Sequence, residues 1–271
     1  MTHAKPPLGQ QSSYPDKYDP SVLFSIPRAE SRGALSSGPL PFRGVDIWNA
    51  WELSWLGPGD LPIAATAEIR IAADTPNLIE SKSLKLYLNS FAMSQFDSLA
   101  SVAETINRDL GAAAGGRVDA RISRVTDTEA DTVSRLPGLC LDDLPVTCDS
   151  WEVDAGLLSI DQDVVVEEDM YTHLLRSLCP VTDQPDIGSF AIHYRGPRID
   201  PASLLRYVVS FRLHNDFHEA CVERMFVDIL KCCQAEKLTI LARFQRRGGI
   251  DINPFRSNFE DAPRNVRLWR Q

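Results

Sequence analysis

Ser83-Leu-Lys-Leu-Tyr-Leu-Asn-Ser-Phe91 returns in the second half of the chain as Ser203-Leu-Leu-Arg-Tyr-Val-Val-Ser-Phe211, with Ser, Leu, Tyr, Ser and Phe in the same places. A second match follows in the same order: Ala120-Arg-Ile-Ser-Arg124 returns as Ala242-Arg-Phe-Gln-Arg246. One such match could arise by chance, but two at nearly the same offset indicate duplication. In the first copy Leu84, Leu88 and Phe91 recur at helical spacing, with Glu80 placed at the helix start. Each copy therefore reads strand, helix, helix, strand, and the chain is expected to be an α+β protein of two tandem homologous modules.

Working outward, the first module is expected over residues 46–125. It contains a strand over 61–73, where Ala65, Glu68 and Arg70 interleave with Ile69 and Ile71, then helices over 80–91 and 98–110 and a strand over 118–125. Gly111 and Gly115-Gly116 are read as the end of the second helix. Asp46-Ile-Trp-Asn-Ala-Trp-Glu-Leu-Ser-Trp55 reads as an aromatic anchor at an interface or in the core. The second module is expected over 166–271, with a short helix over 172–178, a strand over 189–195, helices over 201–213 and 217–234, and a strand over 237–245. Residues 1–45, rich in Pro, Ser and Gly, read as a surface arm. Residues 126–165 read as an acidic connector whose charges (Asp127, Glu129, Asp131, Asp142, Asp143, Asp161, Asp163) are solvated.

A net charge of −9 argues against binding a nucleic-acid backbone, which needs a basic surface. No apolar run approaches bilayer length, and Met-Thr-His-Ala-Lys-Pro-Pro lacks the apolar centre of a signal peptide, so a cytoplasmic protein without a membrane partner is expected. Six cysteines without a secretion signal point to free thiols, with Cys232-Cys233 as core thiols. They lack the paired spacing of a metal site, so no metal is expected.

The differences between the copies carry chemistry. Glu80-Ser-Lys82 stands where the second copy has Asp200-Pro-Ala202, and Phe217-His-Glu219 where the first has Phe96-Asp-Ser98. Each copy keeps a different polar cluster, as expected if one site draws on both. Between them lies Cys179-Pro-Val-Thr-Asp-Gln-Pro-Asp186, a loop stiffened by two prolines that carries one thiol and two carboxylates. A thiolate is a nucleophile, and a carboxyl group of raised pKa can deliver a proton. Taken alone, such a cysteine is more often a small buried hydrophobe, and the aspartates are turn formers.

Glu80-Ser-Lys-Ser-Leu-Lys-Leu-Tyr87, Cys179 with Asp186 seven residues on, Phe217-His-Glu219 and Arg246-Arg-Gly-Gly249 together resemble the two-module form of the NADPH-dependent 7-cyano-7-deazaguanine reductases, the nitrile reductases of queuosine biosynthesis. The resemblance runs from Asp46 to Pro254. It implies a tunnelling fold (T-fold), in which antiparallel sheets each carry a helix pair. It also implies a homodimer and reduction of the nitrile of 7-cyano-7-deazaguanine to 7-aminomethyl-7-deazaguanine by NADPH.

By the same resemblance Cys179 is the nucleophile that forms a thioimide, and Asp186 the proton donor. Glu219, His218, Glu80, Ser81 and Ile79 contact the substrate, and Ser81, Lys82, Arg247 and Gly248 hold the cofactor. Each assignment has a plainer competitor. Asp186 could cap a turn before Gly188, Glu80 could serve only the helix dipole, His218 could be a satisfied core histidine, and Arg246-Arg247 an exposed strand end. Asp183 lacks a family match and is expected to be exposed. NADPH would bind without a G-x-G-x-x-G fingerprint, which the chain lacks. The competing function is a non-catalytic purine- or pterin-binding T-fold protein. A pterin-directed enzyme would want metal-ligating His and Cys at a spacing that this chain does not offer.

Overall fold

The computed structural model describes residues 14–35, 38–127 and 133–271; Glu129 and Asp131 of the expected connector and the first thirteen residues of the arm lie outside them. In chain order the elements are β1 (Ser25–Pro27), α1 (Ala29–Arg32), β2 (Arg43–Leu56), β3 (Pro62–Ala72), β4 (Asn77–Ile79), α2 (Ser81–Asn89), α3 (Leu99–Ala114) and β5 (Val118–Arg124). Then come β6 (Leu139–Cys140), β7 (Ile160–Leu178), β8 (Pro185–Ile199), α4 (Pro201–Ser210), α5 (His218–Cys232), β9 (Lys237–Phe244) and β10 (Ile250–Ser257). The chain divides into two compact units: Met1–Glu30, Ile47–Asp131 and Arg246–Asp251 in the first, Ser31–Asp46, Thr132–Gln245 and Ile252–Gln271 in the second.

In the first unit the strand order is β5-β3-β2, with β3 antiparallel to β5 from Ala65 opposite Arg124 to Ile71 opposite Val118. Ala65, Ala67, Ile69 and Ile71 are buried while Glu68 and Arg70 form an ion pair on the other face, so the strand's two-residue period sorts apolar from charged side chains. Trp48 and Trp55 are buried in β2, which makes the aromatic stretch a core strand. The arm is more than a surface strap, because β1 pairs antiparallel with β4 and Arg28 is buried.

In the second unit the order is β10-β9-β8-β7-β6, antiparallel except for the short β6–β7 pair. Two expectations fail here. Residues 172–178 are the end of a long strand, not a helix, and residues 160–165, expected in the connector, begin it. The register of β7 on β8 shifts between Thr172 and Leu175, leaving His173 and Leu174 both exposed, and this irregularity erases the alternation by which a strand is recognised. Strand β10 has no such signature either. It contains Asp251, Asn253, Arg256 and Ser257, all buried, and hydropathy cannot flag polar residues as interior.

The recurring nonapeptide now has a physical reason. Ser83 Oγ donates to the Glu80 carbonyl and Ser203 Oγ to that of Asp200, both at 2.7 Å, so each serine locks its helix start. Ser90 and Ser210 each donate to the carbonyl of the tyrosine three residues back at 2.6 Å, closing the last turn. Tyr87 donates to Asp109 at 2.6 Å and Tyr207 to Asp228 at 2.7 Å, tying the first helix of each pair to the second. Phe91 and Phe211 lie edge-on to those tyrosines, at 5.1 and 5.5 Å. The identities therefore mark the contacts that assemble a helix pair.

Candidate active site

Cys179 follows directly on β7 and is buried. Its N–H donates to the Gln184 carbonyl (2.9 Å), and its own carbonyl accepts from the Asp183 N–H (3.0 Å). Asn215 ties the turn from outside, donating through Nδ2 to the Cys179 carbonyl at 3.5 Å and to Asp183 Oδ1 at 2.5 Å. Asp183 is exposed, as expected, and takes a φ of 56°. The expected loop is therefore a tight turn, while Pro185 and Asp186 already belong to β8, the proline at its first position where no ladder donor is lost. In the β7–β8 register Leu178 lies opposite Pro185 and Ser177 opposite Asp186, so thiol and carboxyl issue from one end of one hairpin.

Asp186 is buried, and its Oδ2 lies 3.6 Å from His218 Nε2. His218 opens α5, its ring edge-on to Phe244 with centroids 4.0 Å apart, and Glu219 follows at 4 % exposure. The N-cap of α5, Phe217, supplies no side-chain acceptor. A carboxylate buried at the start of such a helix gains from the helix dipole, but one that needed only this could stay in water.

Cys221 and Cys233 are poor competitors for the nucleophile's role. All six are free. Burial, reinforced by the Asp216 carboxylate, pushes the Cys221 thiol well above its usual range, and burial pushes Cys233 up to about 12. Neither is a source of thiolate near neutrality. Cys232, expected in the core, is exposed. It follows the last turn's surface stripe, which its neighbour avoids.

In the first unit Ile79 and Glu80 are buried where β4 meets α2. Glu80 is the N-cap of α2: Oε1 accepts from the Lys82 N–H and Oε2 from the Ser83 N–H, each at 2.8 Å, with Ser81 Oγ 3.5 Å from Oε1. The plainer reading of Glu80 is thus present in full. Oε2, with one donor, still keeps a lone pair for another.

Arg247-Gly248-Gly249-Ile250 is a two-residue hairpin turn. Arg247 and Ile250 exchange backbone hydrogen bonds (2.8 and 3.2 Å), and Gly248 and Gly249 have φ of 59° and 80°, the positive values that a type I′ turn demands of both central residues. Among the described residues no acceptor meets the N–H of either glycine. A cavity of about 150 Å³ opens beside the turn, lined by both glycines and by Glu52, Lys85 and Asn89 among others. A Cβ on Gly248 would come within 3.2 Å of Lys85 Cδ, so the missing side chain lets the turn approach the lysine. Backbone N–H groups beside an ammonium suit an anionic group such as a phosphate.

A family model described as "Nitrile reductase, 7-cyano-7-deazaguanine-reductase N-term" matches residues 14–122, and one described as "QueF-like protein" matches residues 185–263. An NADPH-dependent 7-cyano-7-deazaguanine reductase of Burkholderia ambifaria is 52% identical over 268 residues, covering 98% of each chain. The chain belongs to this reductase family. The first family match spans Ile79, Glu80, Ser81 and Lys82, and the second spans Asp186, His218, Glu219, Arg247 and Gly248. Cys179 falls between the two matches but inside the near-complete alignment to the Burkholderia reductase.

Sequence reasoning passes over Lys85, which lines the cavity beside the glycine turn, and Asn215, which ties the Cys179 turn. Lys85 stands three residues after Lys82 and so shares its helix face, a signal that consecutive letters do carry. Asn215 reaches the Cys179 turn from a residue 36 positions away, and no local pattern announces that.

Proposed function

We propose that this reductase converts the nitrile of 7-cyano-7-deazaguanine to the primary amine of 7-aminomethyl-7-deazaguanine, for queuosine biosynthesis, with Cys179 as nucleophile and Asp186 as proton donor. The observation that carries the proposal is the hairpin end that sets Cys179 and buried Asp186 together, with His218 3.6 Å from the acid.

Cys179 Sγ adds to the nitrile carbon: the S–C bond forms as one π bond of C≡N breaks, and Asp186 delivers the proton that nitrogen requires, giving a thioimide. His218 restores the proton on Asp186. Bound NADPH would supply hydride, and two equivalents, with one further proton beside the one from Asp186, account for the four-electron reduction of nitrile to primary amine. Cys179 leaves after the first reduction, when the S–C bond breaks to give an imine, and is free again for the second. Glu219 accepts from the adjacent ring N–H and amino group of the pyrimidinone, a bidentate pattern that suits a carboxylate, with Glu80 and Ile79 as further contacts and His218 and Ser81 beside the substrate. Ser81, Lys82, Arg247 and Gly248, with Lys85, would hold the dinucleotide; the open glycine N–H groups and the lysine fit its phosphates.

The order of hairpin, helix pair and strand in each unit supports the finer T-fold reading, with an arm over 1–45, a first module over 46–125 and a second that begins with β7 at Ile160. The free cysteines support a reducing compartment, the cytoplasm. Homodimerisation is part of the same reading, and sedimentation tests it.

Mixing protein, NADPH and the nitrile should consume two NADPH per nitrile, followed at the nicotinamide band. Without NADPH, mass spectrometry should find the substrate on the tryptic peptide containing Cys179. A non-catalytic binder would retain the ligand and oxidise nothing. An adduct on Cys221 or Cys232 would move the nucleophile elsewhere.

A further inference from the structure

Among the described residues, Glu52 is the one acidic residue lining the cavity beside the Gly248-Gly249 turn. It lies close to the turn, since a Cβ on Gly249 would come within 3.0 Å of Glu52 Cγ. A free carboxylate there would repel a phosphate. Its Oε1, however, is bound by Arg246 Nη2, the first arginine of the Arg-Arg-Gly-Gly turn. The Arg246 guanidinium is held in place over the Trp51 ring, 5.9 Å from the centroid. Trp51 is in turn fixed at both ends, its N–H donating to the Gly249 carbonyl at 2.8 Å and its Nε1 to Asp251 Oδ2 at 2.6 Å. Asp251 is buried and also takes the Asn49 amide at 2.7 Å.

We infer that the Arg246–Glu52 ion pair sets the preference for a 2′-phosphorylated dinucleotide, by cancelling the carboxylate that would otherwise exclude a phosphate from this cavity. The cavity, at about 150 Å³, is too small for a dinucleotide, which needs a pocket of several hundred Å³, and suits a single anionic group. The pair's side chains are 34% and 69% exposed, and an ion pair that open adds little stability. Its substitution therefore reads out local charge and spares the fold. The inference rests on the proposed seat of the dinucleotide at this turn.

The test is equilibrium binding of NADP⁺ and NAD⁺, oxidised forms that support no turnover, to the wild-type protein and to Arg246→Ala, Glu52→Gln, the double variant and Lys85→Ala, by calorimetry. A full charge change several ångström from a phosphate in wet surroundings alters affinity by about three- to tenfold. Arg246→Ala should weaken NADP⁺ by that factor, Glu52→Gln should tighten it, and the double variant should return to wild type, with NAD⁺ nearly flat throughout. The spread should narrow at high salt. If Lys85→Ala leaves NADP⁺ affinity unchanged, the seat of the dinucleotide is wrong and the inference falls with it. If Lys85→Ala weakens NADP⁺ while Arg246→Ala does not, or while the double variant fails to recover, the seat stands and the ion pair's role is refuted.

Discussion

Cys179 of the second unit and Gly57 of the first occupy the same corner of the same hairpin. The Gly57 N–H donates to the Leu61 carbonyl (3.0 Å) and its carbonyl accepts from Asp60 (3.1 Å); Cys179 does the same with Gln184 and Asp183, at 2.9 and 3.0 Å. Asp60 and Asp183 share a positive φ, 59° and 56°, and Pro62 and Pro185 each open the next strand. Ile63 then stands where Asp186 stands, and a Cβ on Gly57 would lie 2.7 Å from Ile63 Cδ1. The helix starts diverge likewise. Ser98 and Phe217 are the two N-caps, and Asp109 and Asp228 take the same tyrosine bond, which sets Leu99 and Ala100 opposite His218 and Glu219. This corrects by two residues the sequence pairing of Phe217-His-Glu219 with Phe96-Asp-Ser98. The comparison runs the other way at the first helices. Glu80 and Asp200 cap identically, yet Asp200 is exposed and Glu80 is buried at 1 %. Capping does not require burial, so Glu80's position answers to something besides its helix. The two copies therefore share a backbone and differ in the residues set at its corners.

Substitutions that make one copy resemble the other should break this contrast in graded steps. Cys179→Ala, which removes the thiol as its counterpart Gly57 lacks it, should abolish both adduct and turnover while the fold survives; undiminished NADPH oxidation would sink the nucleophile. Asp186→Asn keeps shape and removes the acid, so the rate should fall about 10²- to 10⁴-fold with nitrile affinity little changed. Equal loss of rate and affinity would instead make Asp186 a binding group.

The next contrast is one of stability. Glu223 occupies on α5 the place that exposed Glu104 occupies on α3, counting from the paired aspartates. Glu223 is buried between Arg32 and Arg256, at 2.7 Å from each, and Arg256 is itself fully buried with Asp46 at 2.8 Å. Removing one member of such a network costs about 3–5 kcal/mol, against less than about 0.5 for an exposed glutamate. Thermal unfolding should show Glu223→Gln lowering Tm by several degrees and Glu104→Gln hardly at all. Burial raises the Glu223 pKa, but Arg256 and Arg32 outweigh it and hold the group below the usual range. Its contribution is therefore complete above the unfolded carboxylate pKa, about 4.3, and is lost as pH falls through the lower folded value. Acid-induced loss of Tm should be shallower in Glu223→Gln.

The smallest effect compares helix ends. Gly115 after α3 and Gln234 after α5 both have positive φ, 75° and 52°. Gly115→Ala would bring its Cβ within 2.7 Å of Pro76 Cγ and should cost about 1–2 kcal/mol. Gln234→Gly relieves the backbone but loosens the unfolded chain, so its Tm should change by no more than about 2 °C. A large loss on Gln234→Gly would show that its side chain has a role of its own.

Much of this was legible without coordinates, for identifiable reasons. Helix starts and ends are local: the Glu80 cap, the Ser98 cap and the glycine after α3 depend on neighbours within four residues, so they are written in consecutive letters. The nonapeptide betrayed the duplication because its side chains bond within one helix pair, which each copy must rebuild. Strand β7 and strand β10 were hidden because a register shift and buried polar residues defeat periodicity.

By itself the sequence determined the family and pointed to two copies, and it singled out the thiol and acid proposed for the chemistry. What only the tertiary structure decided was where chemistry and mere architecture part company. That Cys221 and Cys233 are buried thiols of raised pKa, that His218 lies 3.6 Å from Asp186, that Arg246 is bonded to Glu52, and that Gly57 makes the same turn bonds as Cys179 are facts of packing. Each depends on distances and dielectric between residues far apart in the chain, and electrostatic energies follow those distances, which a string of residue types does not contain.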